Sequence, residues 1–471
     1  MHKKLIALAV GALLGQSAFA ATHQTTQAEA QAAQNAGRII YLAGASATKN
    51  SFELAFKKIC DTYVSGSSTL STEHLFTFLD STGSTGNVRA YACHLLPAAS
   101  LTALGFSDLT AWGGQDIVVD HSVFNGSLTS ILGMDSSAAN QNPQIDFNGA
   151  FSGDTALSAP KHQSAGGFSD VEAALFQDVL ATTSFANPSV TSNLVVTSTS
   201  VAQSFGVVVS RSLYAALQAA QGLSSCTADN ITAACQPNIT RTQYASLVAL
   251  QSAGSIADWG VLGLGSAPDG KVRIARRDKF SGTQASSNNF FLGRNCSVGG
   301  LDPAAAGDST STLIVSEAAT TGNALTALSD PTNWTIGVVS LENKATAGSF
   351  ASGGTWRYLK LDGVSISDDT NTTGAGNGNH RQTTIDMQYG FTYETTVNTS
   401  ADTSITSAKA SDLLLNLAKL MADPAVTNLV GLYVLPNADS GPLFTNTTNP
   451  TQVSKAIRGG SSCQPNLFLY I

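Results

Sequence analysis

The sequence is poor in charge. Only 12% of its 471 residues are charged, 24 Lys+Arg against 32 Asp+Glu, and it has just 7 His, 4 Met and 4 Trp. The formal net charge of −8 excludes a generally basic nucleic-acid-binding surface. Sparse charge alone is compatible with disorder, but 43% hydrophobic residues, with 20 Phe and 10 Tyr, supply the apolar material that disordered chains lack. After the amino terminus no apolar run reaches the roughly 18 residues that a membrane-spanning helix needs. Three motifs are also missing. There is no C-x-x-C pair, no G-x-S-x-G elbow and no G-x-x-x-x-G-K-[ST] loop. Their absence argues against a zinc or dithiol centre, an α/β-hydrolase nucleophile and a P-loop nucleotide site. His74, His94, His121, His162 and His380 show no ligand spacing. No metal or other cofactor is expected, and no catalysis.

What is present begins with an address. Lys3 and Lys4 precede the apolar residues 5–14, and the small-residue triplet Ala18-Phe19-Ala20 follows. This is the pattern of a Sec-type signal peptide over residues 1–20, so the exported chain is expected in the periplasm or outside the cell. Residues 21–37, rich in Ala, Gln and Thr, read as a flexible leader. The six cysteines, an even number, fit disulfides in an oxidising compartment. Six allow fifteen pairings, and the sequence alone cannot choose among them. Proximity favours Cys226 with Cys235 and Cys60 with Cys93, which leaves Cys296 for Cys463.

Three small-polar turns then recur. Residues 39–42 are apolar, Gly44-Ala45-Ser46-Ala47-Thr48 follows, and Phe52, Leu54, Ala55, Phe56 and Ile59 continue at helical spacing. That order spells strand, turn and helix, with free backbone N–H groups at the helix start where an anion is favoured. The same grammar is read at Gly83-Ser84-Thr85-Gly86-Asn87-Val88-Arg89, and again at Ser281-Gly282-Thr283 between a strand-like stretch, 272–277, and a helix candidate, 288–292. Brought together, three such turns would make a convergent anion site. Residues 240–259 and 407–421 read as helices, whereas 100–165 and 365–385 read as loops or insertions. Strands alternating with helices predict an α/β fold with a largely parallel sheet.

Taken in order, these segments resemble the phosphate-binding proteins of bacterial ABC importers, in the type 2 periplasmic-binding-protein superfamily. Ala43-Gly44-Ala45-Ser46-Ala47 stands in place of that family's Gly-Ala-Ser/Thr-Phe turn, and residues 83–88 in place of Gly-Ser-Ser-Gly-Gly-Val, with Asn87 for a glycine. Gly166-Gly167-Phe168-Ser169-Asp170 matches the Ser-Asp dipeptide, with Gly105-Phe106-Ser107-Asp108 as a competing match. Val207-Val208-Val209, residues 247–259, Ile336-Gly337-Val338 and residues 389–397 match later elements. The most specific match is Arg276-Arg277-Asp278-Lys279-Phe280-Ser281-Gly282-Thr283 against Arg-Arg-x-Asp-Gly-Ser-Gly-Thr. Ala47, Lys279 and Phe280 depart from the family, replacing an aromatic residue, an aspartate and a glycine.

The resemblance implies a two-lobed clamp, each lobe a mixed, mostly parallel sheet flanked by helices. Lobe 1 would span residues 38–203, with an insertion at about 100–165, and return over 388–471; lobe 2 would span 204–387. Its cleft would close on phosphate or a related tetrahedral oxyanion, with an ABC permease as the onward partner. Carried over, the ligand-binding residues are Ala47, Thr48, Ser84, Asp170, Arg277, Ser281, Gly282 and Thr283. Arg277 would be the fixed cation and Asp170 the acceptor of a ligand proton, which phosphate retains near neutral pH and sulfate does not. A lysine at 279 would add to anion attraction. Plainer readings stand beside these. Arg277 would merely pair with Asp278, Asp170 would cap a helix ahead of Glu172, Trp259 would be core, and Lys49 and Arg89 would be solvated. The alternative function is a secreted structural or adhesive protein that keeps the clamp fold without small-ligand transport.

Overall fold

The computed structural model describes residues 25–61, 74–79, 86–230, 232–250, 258–296, 300–305, 307, 312–345, 356–366, 382–423, 432–435 and 453–468. The expected signal-peptide segment, residues 1–20, Ser84 and most of 365–385 lie outside these residues. The fold is mixed α/β. Short stretches rich in apolar and β-branched or aromatic residues, mostly buried, build β1 (Ile39–Ala43), β2 (His74–Phe78), β3 (Val88–His94) and β4 (Asp116–Ser122). These form a six-stranded sheet in the order β1-β4-β3-β2, completed by the short strands Thr155–Ala156 and Phe151–Ser152. A second, larger sheet holds β5 (Gly167–Ser169), β6 (Leu194–Ser210), β7 (Val272–Arg277), β8 (Leu313–Ala318), β9 (Thr335–Ser340) and β11 (Thr392–Ser400) in the order β8-β7-β9-β6-β11-β5. Two further strands, β10 (Trp356–Tyr358) and β12 (Leu432–Val434), also pair with β6.

Several expectations are corrected here. The sheets are not mostly parallel. β1–β4, β7–β8 and β7–β9 are parallel, but β2–β3, β3–β4 and every partner of β6 are antiparallel. Residues 100–165 are not simply loop, because β4 is a central strand of the first sheet. Most of the expected flexible leader is ordered as a helix. Residues Gln27–Asn35 form helix α1, started by a Thr26/Glu29 capping box. Ala30 and Ala33 of that helix are fully buried against Val118 and Phe76. Small residues three apart let the helix approach the sheet closely, a packing signal that Ala-rich composition alone obscures.

The two large cores meet along β6 and β11. The first packs β1, β3 and β4 against α2 (Lys49–Lys57) and α6 (Ala408–Met421), through Leu42, Phe52, Val119, Leu413 and Leu417. The second gathers β6, β7 and β9 with α3 (Arg211–Ala220), α4 (Arg241–Val248) and α5 (Gly282–Leu292). On β6, Val201 belongs to the first core and Phe205 to Val209 to the second; on β11 the corresponding residues are Val397 and Tyr393. A register shift between Ser198 and Ala202 bends β6 between them. Trp259 is core, its indole N–H donating to the Lys271 carbonyl at 2.9 Å. All six cysteines pair as proximity suggested: Cys60–Cys93, Cys226–Cys235 and Cys296–Cys463. Among the described residues no helix is long and apolar enough to cross a membrane. Both features are compatible with an oxidising, extracytoplasmic compartment.

Candidate functional site

Asp170 sits where the two cores join. Phe168, two residues before it, packs in the first core, and Val171, just after it, in the second. Glycine makes this possible. A Cβ on Gly167 would lie 1.7 Å from the Ala43 carbonyl, and one on Gly44 2.1 Å from that of Phe168, so only glycines let β5 lie against the end of β1. The Ala45 N–H then donates to the Phe168 carbonyl at 2.8 Å, which brings the start of α2 beside Asp170.

The start of α5 approaches from the other side. A Cβ on Gly282 would meet Ser127 Oγ at 2.4 Å and Asp170 Oδ2 at 2.9 Å. Ser127 Oγ itself accepts from the Asp170 N–H at 3.2 Å, and the Leu128 N–H donates to the Phe280 carbonyl at 2.9 Å, so residues 125–130 brace the turn. Ser281 is the N-cap of α5, yet its side chain makes no capping bond. The Gly282 and Thr283 N–H groups have no acceptor among the described residues, and neither do those of Ala47 and Thr48 ahead of α2. Thr48 is the N-cap of α2, and its Oγ1 donates back to the Ala45 carbonyl at 3.1 Å. The open start of α5 therefore lies against the carboxyl and that of α2 is tied to Phe168, two residues before it, so the helix dipoles add positive potential to this region.

Arg277 is buried at 3% exposure and forms no ion pair with Asp278 among the described residues. Its guanidinium donates to the Ala318 and Ala319 carbonyls at 3.3 and 2.9 Å and to Thr321 Oγ1 at 2.6 Å. These bonds fix the fork and leave its charge to be balanced at longer range by Asp278, Asp170 and Glu342. Asp170, 3% exposed, leaves Oδ1 without a hydrogen-bond partner among the described residues. Burial first, then the Glu342 charge, pushes its carboxyl up to about 7, against the opposing pull of Ser127 and Arg277. It caps no helix: the following 3-10 turn starts after Glu172. The competing Asp108 is exposed, so only Asp170 joins this group.

The structure brings Ala47, Thr48, Asp170, Arg277, Ser281, Gly282 and Thr283 to one region, while Ser84 lies outside the described residues. It also departs from the three-helix expectation. The stretch that follows, Val88–His94, is strand β3 and not a helix, and it pairs antiparallel with β2, so no helix starts at residue 88. Lys279 is exposed and lies over the ring of its neighbour Phe280 at 5.4 Å, turned from Asp170 toward surface hollows. Lys49 and Arg89, read as solvated, are both half-buried. Burial and the Arg89 charge lower the Lys49 pKa, and Glu342 partly restores it. His121, nearly fully buried, is driven down to about 3 by burial and by the Arg89 and Lys49 charges, so its ring is neutral.

Glu342 was missed by sequence reasoning. It accepts from Ser340 Oγ at 2.7 Å and from Gln203 Nε2 at 3.3 Å, and no short motif marks it because its neighbours Lys49, Asp170 and Arg277 are all remote in sequence. Ser51 Oγ, His121 Nε2 and Gln203 Oε1 are further buried polar atoms without partners among the described residues. Among those residues no group of three or more His, Cys, Asp or Glu is placed to hold a metal. Chemically the region offers fixed positive charge, open N–H donors and, in Asp170, Asp278 and Glu342, carboxyls that burial drives toward holding a proton. Comparison of the chain with family models, curated proteins and solved structures found no match to any of them.

Proposed function

We propose that this chain is an exported, non-enzymatic solute-binding protein that captures phosphate or a related tetrahedral oxyanion, and that it passes the ligand to an ABC permease. The observation that carries the reading is the unpartnered Asp170 oxygen, buried near the open amides of two helix starts and the Arg277 guanidinium. Amides and guanidinium attract an oxyanion, and an acceptor-only carboxylate repels it unless a proton lies between them. A ligand that keeps one proton satisfies both. The two cores joined by β6 and β11 support a two-lobed clamp of the type 2 periplasmic-binding-protein kind, with the anion held at the junction.

Strand β3 in place of a helix favours a second reading, a secreted structural or adhesive protein on a related fold. Isothermal titration calorimetry of the exported, oxidised chain separates the two. At pH 8, where the Asp170 carboxyl is ionised, phosphate binding at micromolar Kd or tighter, about −8 kcal/mol, without sulfate binding is the expected result. Silence with both anions would refute capture and leave the second reading.

A further inference from the structure

The opposite face of the first sheet holds polar atoms that the anion site does not use. In the β1–β4 register Tyr41 lies beside Asp120 and Ala43 beside Ser122. Strand alternation puts these four side chains on one face, that of Val118 and its core. Asp120, Ser122 and Gln144 are 0% exposed and Ser164 is 1% exposed. Gln144 reaches the strands by donating from Nε2 to the Leu42 carbonyl at 3.0 Å. Ser164 enters beside Ala43, because a Cβ on Gly133 would meet Ser164 Oγ at 2.2 Å and the Ala43 Cβ at 3.2 Å. His162 closes the region by stacking on Tyr41 at 4.5 Å.

Asp120 Oδ2 accepts from the Ile145 N–H. Asp120 Oδ1, Ser122 Oγ, Gln144 Oε1, Ser164 Oγ and His162 Nε2 have no hydrogen-bond partner among the described residues. No hydrogen bond joins the two hydroxyls to the carboxylate or to the amide oxygen. No cationic side chain among the described residues lies close enough to stabilise the Asp120 charge. A buried carboxylate in that position calls for either a proton or a cation. The free groups around it are almost all oxygens, which suit a hard ion rather than a thiophilic or imidazole-seeking metal. Asp146, the other carboxylate near Tyr41, is half-buried and already accepts from Gln34 and Asn148, so for Asp120 a single positive charge gives neutrality, whereas a divalent ion would leave an uncompensated charge in the interior.

We propose that Asp120, Ser122, Gln144 and Ser164 hold a monovalent hard cation, sodium by charge and ligand type, as an internal tie between β1, β4 and the segment 144–164. An ion that binds only the folded chain raises its stability with concentration. The test is the Tm of the exported, oxidised protein in sodium chloride against choline chloride at equal ionic strength, with potassium and calcium chlorides as further arms. Sodium is expected to raise Tm by about 2 °C or more over choline. Asp120→Asn should abolish that difference, and Ser164→Ala should shift it to higher sodium concentration. Equal Tm in sodium and choline, with Asp120→Asn as stable as the wild type, would overturn the site and identify Asp120 as a buried neutral acid. A response to calcium alone would overturn the monovalent assignment. If Asp120→Asn does not fold, Ser164→Ala decides: an unchanged sodium response in that variant refutes the ligand set.

Discussion

Asp170→Asn tests the electrostatic core of the reading, because it replaces the carboxyl by a neutral group of the same shape. In the wild type the carboxyl midpoint rises from the ordinary 3.8 to about 7 on folding. Between those values the folded chain holds a proton that the unfolded chain has lost, so stability falls as pH rises from about 4 to 7 and is level outside that window. From pH 5 to pH 8 the loss amounts to about 3 kcal/mol, at 1.36 kcal/mol for each tenfold change in proton binding. The amide introduced by the substitution cannot titrate. Urea unfolding at pH 5 and pH 8 should therefore show the variant gaining about 3 kcal/mol on the wild type across that interval. Calorimetry should show the complementary loss: weaker phosphate binding, and sulfate binding gained because the repelling charge is gone. Parallel stability curves for the two proteins would refute the burial argument. Unchanged phosphate affinity with sulfate still rejected would refute the proton-reading role.

Gly282→Ala should lower phosphate affinity at least tenfold and destabilise the chain by about 1–3 kcal/mol, since its Cβ would fall 2.4 Å from Ser127 Oγ and 2.9 Å from Asp170 Oδ2; calorimetry and urea unfolding read the two effects. Disulfide removal should rank by loop length. Replacing Cys296 and Cys463, 167 residues apart, by alanine should cost about 5 kcal/mol, against about 3 kcal/mol for Cys226 and Cys235, 9 apart. Thermal melts of the two double variants would show the order, and a larger loss at the short loop would contradict it.

Much of the chemistry is legible in short stretches because it is local. The Gly44 to Thr48 turn before α2, the Ser281-Gly282-Thr283 start of α5, the Ser407 N-cap of α6 and the Cys226–Cys235 and Cys60–Cys93 pairs each depend on residues close together or on simple proximity, and Cys296–Cys463 follows as the remainder. Residues 88–94 show where local reading fails. Val88, Ala90 and Ala92 face one core and Tyr91 and Cys93 another, so a strand buried on both faces carries no polar alternation to distinguish it from a helix. The capping box of α1 is likewise present in the sequence, but only burial of Ala30 and Ala33 against β4 gives that helix a reason to form.

Composition and spacing alone thus determined an acidic chain rich in apolar residues, an even set of cysteines and the small-polar turns ahead of α2 and α5. Tertiary structure decided what those residues meet. Asp170 becomes a proton-holding carboxyl only because β5 threads between two cores, and Glu342 acts on Lys49, Asp170 and Arg277 although all three are distant from it along the chain. Lys279, two residues after Arg277 in sequence, turns to solvent instead. Burial and charge act through space over a few ångströms, and the chain path, not sequence proximity, sets those distances.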